Sequence, residues 1–314
     1  MEEIFTGPEI LVIGESLIDI VQREGAKSQA CPGGSPMNVA VGLGRLLQAP
    51  TLATWFGRDK YGKMIRKHCE ESGVRILPGS DQARRTSTAV AQLDEHGHAT
   101  YTFDIDMSLP ALPEKIPALI HVGSLGAVLQ PARDIVLPYC QRAQGQSMIF
   151  FDPNCRPSIM RSPETVRPVV EDYVRTSTVV KVSDEDLAWL YPSSADTYQD
   201  HAKRWLEGGT TKLVVVTLGS EGAWALTAQS EFTVPAHTTS DVIDTVGAGD
   251  SFMAGLIWET IAQGYLESSF GLVLGEEPEI VEFIVTEAST MAGITVSRAG
   301  ANPPWLRELE SGQA

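Results

Sequence analysis

EILVIG at Glu9–Gly14, a helical pattern over Met37–Leu47 and TLATWFG at Thr51–Gly57 together decide the fold. The two flanking runs are short, largely apolar and end in glycine, which reads as strands buried on both faces. The middle segment repeats apolar residues every three or four positions, as a helix does. Buried strands linked through a helix belong to a parallel sheet covered on each side. Further strand candidates lie at Leu119–Gly123, Ser147–Asp152, Thr178–Val182 and Lys212–Leu218, alternating with helix-length segments at Pro131–Ala143, Pro163–Val174 and Tyr198–Leu206. The rhythm predicts an α/β fold with a mostly parallel sheet.

Two segments break it. Ser87–Leu93 and Ala99–Phe103 flank the turn Asp94–Gly97 and alternate small or polar with apolar residues, as a β-hairpin with one wet face does. With residues around Ile18–Val21 they form a small sheet outside the main layer. The Pro-bearing loop Leu109–Pro117 leads back to the core.

The chain has 314 residues, 43% hydrophobic and 20% charged, and its 24 Lys and Arg against 40 Asp and Glu give a formal net charge of −16. That suffices for one large core, so a single domain over residues 1–314 is expected, with lid strands from about 15–35 and 84–108. An acidic chain without a basic patch repels nucleic acid and anionic membranes, which leaves small-molecule chemistry. MEEIF is acidic where a signal peptide carries Lys or Arg, no apolar stretch nears a membrane span, and Cys31, Cys69, Cys140 and Cys155 lack metal-ligand spacing. A soluble cytoplasmic protein is predicted.

The strongest chemical signal is DTVGAGDSFMAGLIWE, Asp244–Glu259. Gly247, Ala248 and Gly249 let backbone NH groups approach an anion at a helix start, where the dipole is positive. Asp250 adds a carboxylate, which is self-defeating for plain phosphate binding but is what phosphoryl transfer to an alcohol needs. Spacing alone leaves open a glycine turn whose Asp250 caps the helix. GESLID (Gly14–Asp19) puts Glu15 and Asp19 near the sheet's carboxyl edge, where open α/β sheets bind ligands. In CPGGSPMNVAVGLGRL (Cys31–Leu46), Gly33 and Gly34 permit close backbone approach and Asn38 can meet hydroxyls; a tight turn with an Asn cap is the plainer alternative.

GGSPMNVAVGLGRL and DTVGAGDSFMAGLI resemble the two signatures of the ribokinase-like PfkB carbohydrate kinase family, and FGRDKYG, HVGS, DPNCRPSI, VVTLGSEGAW and SRAGANPP fall in that family's order. The resemblance is closest to the fructokinase-like branch. It implies a three-layer α/β/α core, nine-stranded or similar, a β-sheet lid over the sugar, ATP as donor and Mg²⁺. It also implies Asp250 as base and the Gly247, Ala248 and Gly249 backbone as anion hole. Asp19, Gly33, Gly34 and Asn38 resemble the hydroxyl-binding set, with Phe103 from the lid and Arg156 beside the site. Lys181, Thr217, Gly219 and Gly222 match the nucleotide side, together with Gly247 and Gly249. The usual Asn-x-x-Glu metal-water motif is replaced by Ser183 and Asp186, so Mg²⁺ held through water at Asp186 is expected. Asp244 and the Val246 carbonyl match a monovalent-cation site, which implies K⁺, and an exposed lid face implies a homodimer through the lid.

A neutral sugar, fructose first, is expected, because Asp104 and Asp106 in the lid would repel the carboxylate of 2-keto-3-deoxygluconate by roughly 1 kcal/mol or more at contact. Ribokinase or nucleoside kinase activity stands behind it, since Trp55, Phe56 and Phe103 read as packing rather than base-stacking residues. Outside catalysis, a silent sugar or nucleotide sensor is the alternative, against which Asp250 is present. A dinucleotide oxidoreductase is disfavoured, because GAGD falls late in the chain rather than after the first strand.

Overall fold

The computed structural model describes residues 8–23, 28–93, 99–192, 195–208, 210–237, 239, 241–266 and 277–310. MEEIF and the turn Asp94–Gly97 lie outside them. The main sheet has nine strands in the order β13-β12-β11-β10-β9-β8-β1-β4-β5. They are β1 Ile10–Ile13, β4 Thr51–Ala53, β5 Arg75–Ile76, β8 Leu119–Gly123, β9 Met148–Asp152, β10 Val179–Ser183, β11 Leu213–Thr217, β12 Ala223–Leu226 and β13 Glu231–Val234. All neighbours pair parallel except β11 with β12 and β12 with β13.

Alternate residues of the central strands enter two separate cores. Val12, Phe150, Val179 and Val215 pack with helices Ser35–Arg45, Ala248–Ala262 and Pro278–Val296. Ile13, Phe151, Val180 and Val216 pack with helices Arg133–Ala143, Pro163–Thr176 and Tyr198–Glu207. The period of two in the strand and the apolar run on both parities thus produce one three-layer α/β/α body. Among the described residues, no helix is long and apolar enough to cross a membrane.

A second sheet of four strands has the order β3-β2-β6-β7: β2 Leu17–Arg23, β3 Gln29–Gly33, β6 Thr88–Leu93 and β7 Ala99–Asp104. The hairpin pair β6/β7 and the pair β2/β3 are antiparallel, while β2 and β6 run parallel. Ile18 and Ile20 of β2 face the core with Ile65 of helix Lys60–Glu71. The opposite parity carries Asp19 level with Ala89, and Ala89 level with Phe103. Asp59 fastens the base of this sheet: its carboxylate accepts from Tyr61 N, Gly62 N and Thr86 N, each at 2.9 Å, and from Thr86 Oγ1 at 2.8 Å.

The helix Ser35–Arg45 is stitched to the stretch Asn302–Trp305. Buried Arg45 donates from Nη1 to Asn302 Oδ1 and to the Pro303 carbonyl, both at 2.6 Å, and its guanidinium lies 5.0 Å from the Trp305 ring centre.

Candidate active site

The carboxyl ends of β1, β8, β9, β10 and β11 open on one side into a cavity of about 900 Å³. The row Asp19, Ala89, Phe103 of the four-stranded sheet covers one half, and Thr217, Gly219 and Gly222 line the other. Asp250 lies in the wall between them, at the start of helix Ala248–Ala262. Of the residues singled out in the sequence, Asp19, Gly34, Asn38, Phe103, Arg156, Lys181, Asp186, Thr217, Gly219, Gly222, Val246, Gly247, Ala248, Gly249 and Asp250 line this single space. Gly33 and Asp244 stand behind it.

The helix at Asp250 begins at Gly247, whose φ of 80° is left-handed, and no side chain caps it. A Cβ on Gly247 would come within 2.5 Å of Ala301 Cβ, so both the turn and its packing require glycine. Asp250 is therefore no cap. Its carboxylate accepts from Ser35 Oγ at 2.7 Å and from Asn38 Nδ2 at 2.8 Å, and it is buried. Asn38 likewise caps nothing: its amide nitrogen holds Asp250 while the residue lines the cavity. Ser35, in the first turn of its helix, went unnoticed in the sequence; its place between Gly34 and Asn38 was the only available signal.

At the covered half, Asp19 is exposed to the cavity, yet its concave surroundings push its pKa up to about 6 against the pull of Arg156. A Cβ on Gly33 would lie 2.1 Å from Asp19 Oδ2, so glycine is the residue that leaves this carboxylate its position. Arg156 donates to the Cys155 carbonyl at 3.0 Å. Burial raises the pKa of Glu15, whose Oε2 accepts from Gly126 N at 3.0 Å. Asp104 does not line the cavity. It is exposed and paired with Arg85, whose Nε lies 2.6 Å from Oδ2, and this pairing lowers its pKa.

At the other half, Lys181 of β10 is buried with Nζ 2.8 Å from Asp152 Oδ2. Burial alone would depress the lysine, but Asp152, Asp186 and Asp250 hold it charged with its pKa above the usual value. Ser183 and Asp186 form a capping box at helix Asp184–Leu190, and Asp186 Oδ1 also accepts from Cys155 N at 2.8 Å. Asp244 accepts from Val246 N at 3.0 Å and from Gly300 N at 2.9 Å, clasping the two loops beside Gly247. Gly222, with φ of 103°, could not carry a Cβ, which would lie 2.1 Å from the Val234 carbonyl oxygen.

Geometrically, one carboxylate at an uncapped helix start lies between a hydroxyl-accepting half and a glycine-lined half. That arrangement can bring an alcohol to a base beside an electropositive cradle for a phosphoryl group.

Comparison with known proteins gives the same direction. The family model described as "pfkB family carbohydrate kinase" matches residues 8–307. The chain is 31% identical over 267 residues to a fructokinase of Klebsiella pneumoniae, covering 82% of this chain and 85% of the other. Among solved structures it is similar to Vibrio cholerae fructokinase in its fructose-, ADP- and calcium-bound form, at TM-score 0.76 and 26% identity over 94% of each chain. The aminoimidazole riboside kinase of Salmonella enterica shares the fold at TM-score 0.79 and 23% identity, covering 98% of this chain and 100% of that one.

Proposed function

The chain belongs to the pfkB family of carbohydrate kinases, and from that premise we propose that it transfers the γ-phosphoryl group of ATP to a hydroxyl of fructose, with Asp250 as the base. The observation that carries this reading is the position of Asp250, held by Ser35 and Asn38 where the two halves of the cavity meet. The named relative is a fructokinase at 31% identity.

In the proposed mechanism the four-stranded sheet acts as a lid. Asp19 accepts sugar hydroxyls, Gly33 and Gly34 bring backbone close to the ring, and Phe103 and Arg156 border it. The acceptor hydroxyl points at Asp250, whose two hydrogen bonds fix the orientation of the carboxylate. The Gly247, Ala248 and Gly249 backbone receives the charge of the transferring group. Lys181, Thr217, Gly219 and Gly222 border the nucleotide. Transfer of this kind passes through a loose transition state, so positioning and charge stabilisation outweigh proton removal.

The residues present fit Mg²⁺ as a hydrated ion. Among the described residues no group of three or more His, Cys, Asp or Glu could cage a metal, whereas Asp184, Glu185 and Asp186 line the nucleotide half. Mg²⁺ retains several waters and is held through one or two carboxylates plus substrate phosphates, so these three side chains would hold its waters. When bound, the ion neutralises charge on the terminal phosphates. Potassium at Asp244 and the Val246 carbonyl belongs to the same reading, as does residence in the reducing cytoplasm, where the four free thiols are stable.

One observation keeps a second substrate in view. The charge that argued against a carboxylate sugar, Asp104, is neutralised by Arg85 outside the cavity, while Arg156 faces into it. The deciding experiment is ADP release from Mg·ATP with fructose, ribose, 2-keto-3-deoxygluconate, adenosine or no sugar. Fructose-dependent release is expected; release with the ketodeoxy acid alone would replace fructose by that acid.

A further inference from the structure

Lys181 occupies an electrostatically awkward place. Its ammonium is packed against the first turn of helix Ala248–Ala262: a Cβ built on Gly249 would lie 2.9 Å from Nζ. A helix start is the positive end of the dipole, so a buried cation there is repelled rather than attracted. Burial compounds this, since the lysine side chain is only 5% exposed and a cation in such surroundings tends to lose its proton. The group in direct contact that offsets this is the carboxylate of Asp152, itself 2% exposed, at 2.8 Å. The conflict vanishes when an anion arrives, because ammonium and helix start then attract it together.

Asp152 reaches this position from the last residue of β9, one strand away from Lys181 on β10. Its second oxygen, Oδ1, accepts from Asn154 N at 3.0 Å, so the carboxylate is fixed from both sides. The other acids acting on the lysine are Asp186 and Asp250. Asp250 would make a competing partner, and a lysine that turned to it would occupy the very carboxylate that Ser35 and Asn38 orient.

We propose that Asp152 is a positioning residue for phosphoryl transfer: by fixing the Lys181 ammonium beneath Gly249 it supplies the anion hole with a permanent positive charge and keeps that charge off Asp250. This rests on the proposed kinase mechanism and adds a role for a residue that touches neither sugar nor nucleotide.

The test is a double-mutant cycle of Asp152→Asn and Lys181→Met, measuring kcat, both KM values and thermal unfolding on whichever sugar the wild type turns over. Asp152→Asn is expected to lower kcat about tenfold or more with the sugar KM unchanged within about twofold. Lys181→Met should lower kcat at least as far, and the double variant should be no slower than Lys181→Met alone, because the carboxylate acts only through the lysine. Stability should move differently: Lys181→Met strands a buried carboxylate and lowers Tm, and the added Asp152→Asn restores part of that loss without restoring kcat. A purely structural pair would let kcat recover with Tm. Multiplicative losses in kcat, or an Asp152→Asn enzyme with wild-type kcat, would overturn the proposal. If the wild type phosphorylates none of the sugars, the substrate reading fails separately. Calorimetry with a non-hydrolysable Mg·ATP analogue then decides: weaker binding in Lys181→Met and Asp152→Asn, without further loss in the double variant, supports the pair, and unchanged binding in all three refutes it.

Discussion

Gly33→Ala separates sugar recognition from every other property of the enzyme. Gly33 does not occupy the left-handed region, so an alanine backbone is tolerated there, but its Cβ would lie 2.1 Å from Asp19 Oδ2. A carbon and an oxygen in contact keep about 3.3 Å, so Oδ2 must retreat by about 1.2 Å. That exceeds the range over which a hydrogen bond holds its strength. A hydrogen bond to a charged group contributes about 1.5–3 kcal/mol, so the sugar KM should rise by about 10- to 100-fold. Asp19 is exposed to the cavity rather than packed in the core, so unfolding should shift little. Initial rates with fructose varied at saturating Mg·ATP, and the converse, give both KM values. The ATP KM should stay within about twofold, and Gly33→Ala in an Asp19→Asn background should add little. A sugar KM unchanged by Gly33→Ala, or a loss shared equally between sugar and ATP, would refute the steric argument.

Asp250→Ala should lower kcat by on the order of a hundredfold or more while leaving sugar binding nearly intact, checked by turnover alongside calorimetric titration with fructose. Ser35→Ala removes one of the two hydrogen bonds to that carboxylate; about 1 kcal/mol of lost orientation predicts a kcat reduced about fivefold, with Asn38→Ala at least as costly. Burial in the cavity pushes the Asp19 pKa up to about 6 from the ordinary aspartate value of 3.8, so its carboxylate is mostly protonated below pH 6 and the sugar KM should fall as pH rises through 6. The same shift favours the protonated folded state, so this group's contribution to stability declines as pH rises from about 4 to 6. Asp19→Asn should flatten both trends. Replacing K⁺ by a bulky organic cation at constant ionic strength should reduce kcat, and Asp244→Ala should abolish the difference between the two salts.

The main layer was legible because its strands are buried on both faces and read as unbroken apolar runs, Leu213–Thr217 being the clearest. The last two strands of the sheet, Ala223–Leu226 and the edge strand Glu231–Val234, were not, since four residues are too few to show a period and two of the four in the edge strand are polar. Helix Pro278–Val296 escaped for the opposite reason: packed against helix Ala248–Ala262, it is apolar over much of its circumference and shows little amphipathic contrast. In the cavity, glycines and acids at a strand or helix end could be read from type and spacing. Their partners could not. Asn38 and Asp250 are 212 positions apart and Lys181 and Asp152 are 29 apart, distances at which no local pattern survives. The charge argument about Asp104 weakened for the same reason, as its partner Arg85 sits 19 residues back on the incoming side of the hairpin.

The tie between Arg45 and Pro303 spans 258 positions, and that between Ser35 and Asp250 spans 215. During vectorial synthesis the first helix therefore emerges long before anything it must grip, and its buried arginine waits without a partner while most of the chain is made. Contacts of such sequence separation are slow to form and leave apolar surface exposed in the interim. Activity should consequently appear late, only once the stretch around Asn302 and Pro303 has been delivered, and a chain stopped before it would be a client for chaperones rather than a slower enzyme.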